Sequence, residues 1–268
     1  MRSIHYICGL PRAGSTLLAN ILAQNPDVHT TPTSGCHDVL FGIKNNWGKL
    51  IEHQASKELA DTANLKRVLS ATLNTYHDTD RPVIIDKGRG WTSMLEMLEW
   101  VTDEKAKVLV SVRSIPQILS SLEKLHRKRV ATGQQDGDYI NGQTVEGRTS
   151  QQLLNSSVLG LAFDRLKDAM HRGYGDRLHF VEFDDLTHNP KQKMEEVYSF
   201  LELSPFTHNF QSVDQYTHED DTVHGGLDLH TIRKDVRPVQ DDSVDILGAE
   251  IVKQYSGAEF WRSNPNHK

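Results

Sequence analysis

Two hydrophobic periods alternate along the chain. Short, nearly continuous apolar runs at Ile4–Cys8, Pro82–Ile85, Lys107–Val112 and Leu178–Phe183 predict strands buried on both faces. Between and after them, apolar residues recur at helical spacing. Leu17, Leu18, Ile21 and Leu22 share one face, as do Leu65, Val68, Leu69 and Leu73, and Ile118, Leu122 and Leu125. Further helices are predicted over Gln151–Met170, up to Leu201, and over Val244–Tyr255. The segment Val28–Val39, rich in Thr, Ser, Pro and Gly, reads as a loop that could return towards the end of the first strand. Four strands each followed by a helix imply an α/β fold, a doubly wound parallel sheet in a single domain over 1–268. Ala131–Ser150 is polar, glycine-rich and aperiodic, and reads as a flexible substrate-side loop within that domain.

Chemistry enters at the first strand–helix junction. Gly9-Leu10-Pro11-Arg12-Ala13-Gly14-Ser15-Thr16 is a tight turn opening a helix, where unpaired N–H groups and the positive end of the helix dipole suit an oxyanion. Against G-x-x-x-x-G-K-[ST], the loop keeps both glycines and the threonine but has Ser15 in place of lysine. That lysine reaches the β and γ phosphates of a nucleoside triphosphate, so its loss favours a ligand with a shorter anionic tail. Arg12 supplies a cation from within the loop.

The segment Gly-Leu-Pro-Arg-Ala-Gly-Ser-Thr-Leu-Leu resembles the loop with which sulfotransferases bind the 5′-phosphosulfate of 3′-phosphoadenosine 5′-phosphosulfate (PAPS). Four further segments follow in the order of that family. Asp86-Lys87 ends the second predicted strand, where the resemblance implies a lysine touching the transferred sulfuryl group. Arg113 and Ser121 match its R-x7-S element, which implies a 3′-phosphate clamp. Phe183, in Val-Glu-Phe-Asp-Asp-Leu, stands where the family has an adenine-stacking tyrosine. Arg233 and Lys234 are candidates for a late basic loop, although the family's K-G-x-x-G-x-W form is absent.

The resemblance therefore implies a three-layer sheet like that of the P-loop nucleoside triphosphate hydrolases and a PAPS-dependent transfer without a metal. Arg12 to Thr16 (Arg12, Ala13, Gly14, Ser15, Thr16), Arg113, Ser121, Phe183, Arg233 and Lys234 would hold the donor. Arg12 and Lys87 would carry charge in the transfer. The base is open: Arg89 stands where one branch of the family has a histidine, so His37 is the first candidate, with Asp38 and His29 behind it.

Composition narrows the partners. A net charge of −6 offers no global field for nucleic acid, and Lys124–Arg129 is a local basic cluster that reads as a solvated helix end or a docking rim for an anion. No apolar run is long enough to cross a bilayer, Met1-Arg2-Ser3 leads directly into a strand, and there are only two cysteines. A cytoplasmic enzyme with a small-molecule, sugar or peptide acceptor is the expectation. No histidine spacing suggests a metal. Two rivals remain: a small-molecule or nucleotide kinase using Asp86 for Mg²⁺, and a nucleotide-binding relative without catalysis.

Overall fold

A computed structural model describes residues 2–133, 142–224 and 229–263. Its frame is a five-stranded parallel sheet in the order β2-β3-β1-β4-β5, formed by β1 (Ser3–Gly9), β2 (Val28–Thr33), β3 (Val83–Lys87), β4 (Val108–Val112) and β5 (Leu178–Glu182). The helices of the first half are α1 (Ser15–Leu22), α2 (Cys36–Trp47), α3 (Ile51–Ala55), α4 (Thr62–Thr75), α5 (Leu95–Thr102) and α6 (Ile115–Ala131). The second half adds α7 (Val145–Gln152), α8 (Val158–His171), α9 (Phe183–His188), α10 (Pro190–Leu201), α11 (Ser243–Leu247) and α12 (Ala249–Tyr255).

The sheet separates two apolar cores, because successive strand side chains point to opposite faces. Tyr6, Cys8, Val108, Val110 and Phe180 face one core together with Leu69, Leu73, Leu98 and Ile118. Ile7, Val83, Ile85, Leu109 and Val181 face the other, against Leu18, Ile21 and Leu22 of α1 and Val197 of α10. Tyr6 pairs with Asp86 and Ile7 with Lys87 across β1 and β3. Asp86 is thereby on the Tyr6 face and Lys87 on the α1 face, an opposition fixed by one residue of register.

Four readings need correction. Val28–Thr33 is a strand rather than a loop: Val28, His29 and Thr30 pair in parallel with Val83, Ile84 and Ile85. Its threonines are β-branched, and Pro32 is tolerated because β2 is an edge strand whose register shifts between Thr30 and Thr33. The presumed loop Ala131–Ser150 contains the start of α7, whose N-cap Thr144 accepts from the Gly147 N–H at 3.0 Å; residues 134–141 lie outside the described ones. The predicted terminal helix is broken at Gly248, which takes φ 88° between α11 and α12. Lastly, β5 stops at Glu182, so Phe183 begins a helix.

Candidate active site

The loop after β1 is shaped by two close approaches. A Cβ on Gly9, at φ 132°, would fall 2.1 Å from the Ser111 carbonyl oxygen of β4, so only glycine allows that contact. At Gly14, φ 83°, a Cβ would fall 2.5 Å from the Phe183 ring. Between them Arg12 holds a left-handed φ of 60°, an uncommon conformation for a side-chain-bearing residue. The glycine N-cap leaves the first-turn amides of α1 to whatever occupies the space before them.

That space is a cavity of about 800 Å³ at the carboxyl ends of the strands, where open parallel sheets bind ligands. Arg12, Gly14, Ser15, Thr16, Arg113, Ser121, Phe183 and Arg233 all line it. Arg12 Nε donates to Ser121 Oγ at 3.1 Å and its Nη1 to the Leu229 carbonyl at 2.8 Å. The Arg113 guanidinium lies 4.5 Å from the centre of the Phe183 ring, and its Nε donates to Gln117 Oε1 at 3.1 Å. Phe183 is thus wedged between the loop and Arg113. Burial pulls the pKa of both arginines down, opposed most by the charge of Asp221 on Arg12 and of Asp184 on Arg113. Lys124, Lys128 and Arg129 extend the lining along α6.

Behind the loop, Lys87 is 4% exposed. Its Nζ is 2.7 Å from Glu219 Oε1 and 3.4 Å from Thr16 Oγ1. The same Glu219 oxygen accepts from the Thr33 N–H at 2.8 Å and from Thr33 Oγ1 at 3.0 Å. Burial alone would raise the Glu219 carboxyl; the bonds from Lys87 and Thr33 outweigh it and hold the pKa below the usual value. Glu219 Oε2 lies 3.4 Å from His230 Nε2, and His230 Nδ1 is 2.6 Å from Asp221 Oδ1. Burial opposes the charge of Asp221 too, but bonding to His230 holds its carboxyl low. Lys87, Glu219, His230 and Asp221 form one chain, with His230 on the cavity wall.

Most donor candidates from the sequence therefore converge, Ala13 through its place in the loop, where it is buried. Others do not. His37 packs over the turn after β3, with a Cβ on Gly90 falling 2.1 Å from its ring, and it is absent from the cavity wall. Asp38 lies 3.4 Å from His37, and His29 sits back along β2 opposite Ile84. Lys234 is not in the lining; its carbonyl accepts from the Val213 N–H at 2.6 Å. Asp86 is fully buried on the opposite face, which removes the Mg²⁺ ligand that a kinase reading needs. Glu219, Asp221 and His230 carried no local signal beyond the acidic character of their segment.

A family model described as "Sulfotransferase family" matches residues 6–208. Among solved structures, the chain is similar to the sulfotransferase domain from the curacin biosynthetic pathway, at 17% identity and TM-score 0.50, covering 98% of this chain and 92% of that one. It is also similar to sulfotransferase STF9 from Mycobacterium avium, at 15% identity and TM-score 0.52, covering 98% and 76%. The sulfotransferase domain of the Synechococcus PCC 7002 olefin synthase follows at 17% identity and TM-score 0.49, covering 94% and 96%. No curated protein matches the sequence. At these identities the first two solved structures bear on the fold alone.

Proposed function

The chain belongs to the sulfotransferase family, and from that premise we propose how its own residues divide the transfer of a sulfuryl group from PAPS to an acceptor hydroxyl or amine. The observation that carries the reading is the meeting of Arg12 with Ser121 at 3.1 Å, with Arg113 on the same cavity wall. Two cations and a hydroxyl converging beside uncapped amides make two anion sites within one cavity. Ser15, Thr16 and the α1 amides would take the 5′ end and Arg113 with Ser121 the 3′-phosphate. Phe183, packed on Gly14, would flank the adenine, and Arg233 would close the rim.

The acceptor oxygen forms a bond to sulfur as the bond from sulfur to the bridging phosphate oxygen breaks. The leaving bisphosphate takes the electron pair, and the acceptor proton goes to a base. Lys87 and Arg12 offset charge on the oxygens around sulfur. We assign the base to His230. Asp221 fixes its Nδ1 side, Nε2 lies 3.4 Å from Glu219 Oε2, and the residue lines the cavity. The acceptor is a small molecule, a sugar or a peptide side chain. The described residues contain no helix long and apolar enough to cross a membrane. Both cysteines are free thiols, which supports a reducing, cytoplasmic setting.

Thermal melting with 3′-phosphoadenosine 5′-phosphate against Mg²⁺-ATP tests the reading, because a ligand bound only to the folded state raises the midpoint. The bisphosphate should raise it in the unaltered chain and in His230→Asn, but not in Arg113→Ala; His230→Asn should abolish turnover of acceptors. A rise with Mg²⁺-ATP alone would overturn the donor assignment. Full turnover by His230→Asn would remove His230 as the base.

A further inference from the structure

On the face of β3 turned away from the cavity, side chains from three elements meet: Cys36 at the start of α2, His77 just past α4, and Asp86 one residue before Lys87. One donor atom of each lies within 4.8 Å of the other two. Cys36 and Asp86 are fully buried and His77 is 7% exposed. His77 Nε2 stands 2.9 Å from Asp86 Oδ2, yet neither atom makes an aligned hydrogen bond. Buried polar atoms left in that state are costly, and each such atom calls for a partner.

The surroundings point to one kind of partner. Trp91 Nε1 donates to Asp86 Oδ1 at 2.7 Å, which fixes the carboxylate and turns its other oxygen towards His77 and Cys36. Metal-ligating carboxylates are commonly oriented by an outer bond of this kind. The Cys36 N–H is held by Ser34 Oγ at 3.0 Å. Tyr6, the register partner of Asp86, packs on Trp91 with ring centres 4.5 Å apart.

We propose that Cys36, His77 and Asp86 bind one structural transition-metal ion, Zn²⁺ by preference. A thiolate, an imidazole and a carboxylate are its usual ligands, whereas Mg²⁺ and Ca²⁺ select oxygen. Ligands at about 2.0–2.3 Å from a tetrahedral centre stand less than about 4 Å apart, so a small closing of the present cluster suffices. Binding releases the Cys36 thiol proton to solvent. The ion would tie α2 and the end of α4 to β3 directly below Lys87, a structural role separate from sulfuryl transfer. Residues 36, 77 and 86 form no metal motif in sequence; only the topology assembles them.

The unaltered chain decides this without an activity assay. Elemental analysis of the purified protein should find close to one zinc per chain. After chelation, Co²⁺ titration should give tetrahedral visible bands with a thiolate charge-transfer band, and Zn²⁺ should raise the melting midpoint. Cys36→Ser and His77→Gln should weaken Co²⁺ binding at least tenfold, and Cys8→Ala should leave the spectrum unchanged. The absence of stoichiometric metal together with no cobalt spectrum in the unaltered chain overturns the proposal, leaving His77 and Asp86 as a buried polar contact. A cobalt spectrum that depends on Cys8 instead of Cys36 overturns it as well.

Discussion

The two halves of the proposed site are built differently. The donor half, with Arg12, Arg113, Ser121 and Phe183, stands on strand ends and first helical turns, and is held by cations, a hydroxyl and a ring. The acceptor half, with Glu219, Asp221 and His230 beside Lys87, comes from a strap between α10 and α11 in which the described residues form no strand or α-helix. Carboxylates hold it together. The strap is pinned by one residue of α1: Asn20, fully buried, accepts from the Tyr216 and Thr217 N–H groups at 2.5 and 2.9 Å and donates to Thr217 Oγ1 at 3.0 Å. Gln215 then folds the strap on itself, donating to the His230 carbonyl at 2.8 Å and accepting from the Ile232 N–H at 3.0 Å. One half is therefore as rigid as the sheet, and the other depends on a few polar contacts laid over it.

Lys87 is where the halves join, and its loss should have the largest effect. Lys87→Met should lower kcat about 100- to 1,000-fold by removing a cation from the developing charge. It also leaves the Glu219 carboxylate without its cation, held by the Thr33 bonds alone, so stability should fall by about 1–3 kcal/mol in denaturant unfolding. Lys87→Met with Glu219→Gln should recover most of that stability and none of the activity. Recovery of both would mean that Lys87 acts only by holding the strap. Donor binding measured with the bisphosphate should survive in the double variant, since the loop and Arg113 are untouched.

Asn20 tests whether the strap is separable. Asn20→Ala removes four hydrogen bonds, three of them to the strap, and leaves the buried Thr217 N–H and the part-buried Tyr216 N–H unpaired, at a cost of about 2–3 kcal/mol. Turnover should drop with the displacement of His230, while the melting shift with the bisphosphate stays within about a factor of two in apparent affinity. Equal loss of donor binding and turnover would show the cavity to be one cooperative unit.

The same contrast explains what could be read from the chain beforehand. The donor half was legible because each of its residues follows an apolar run and sits at short, fixed spacing from it: Arg12 and Thr16 after β1, Arg113 after β4, Ser121 on α6, Phe183 after β5. Local periodicity marks those junctions. His230 and Glu219 have no such marker. Glu219 reaches Lys87 across 132 residues, and nothing near either residue encodes that contact. His37 was attractive only because it follows the first helix at a plausible distance; the fold turns it onto Gly90 and Trp91 instead. Edge strand β2 was missed for a related reason, since Pro32 and four polar residues hide a strand that is recognisable by its partner β3.

The smallest expected effect concerns acid. The Glu219 and Asp221 carboxyls are held below their ordinary values of 4.5 and 3.8 in the folded chain. The anchored strap then binds fewer protons than the released strap, so its stabilisation is complete above those values and is lost as pH falls through the lowered ones. The donor half contains no matching carboxylate in its Arg12–Ser121 and Arg113–Phe183 contacts. Acidification should therefore loosen the acceptor half first. Hydrogen exchange can resolve this. The Thr33 and His230 amides donate to Glu219 and Asp221 at 2.8 and 3.2 Å, whereas the Leu10 amide donates to the Ser111 carbonyl at 2.9 Å. Protection should decline at Thr33 once the pH drops below 4.5 and at His230 once it drops below 3.8, the ordinary Glu and Asp values, while that of Leu10 holds until global unfolding. Glu219→Gln, which keeps an acceptor oxygen but cannot titrate, should flatten the decline at Thr33 and leave that at His230. A parallel fall at all three amides would instead make the strap part of the same cooperative unit as the sheet.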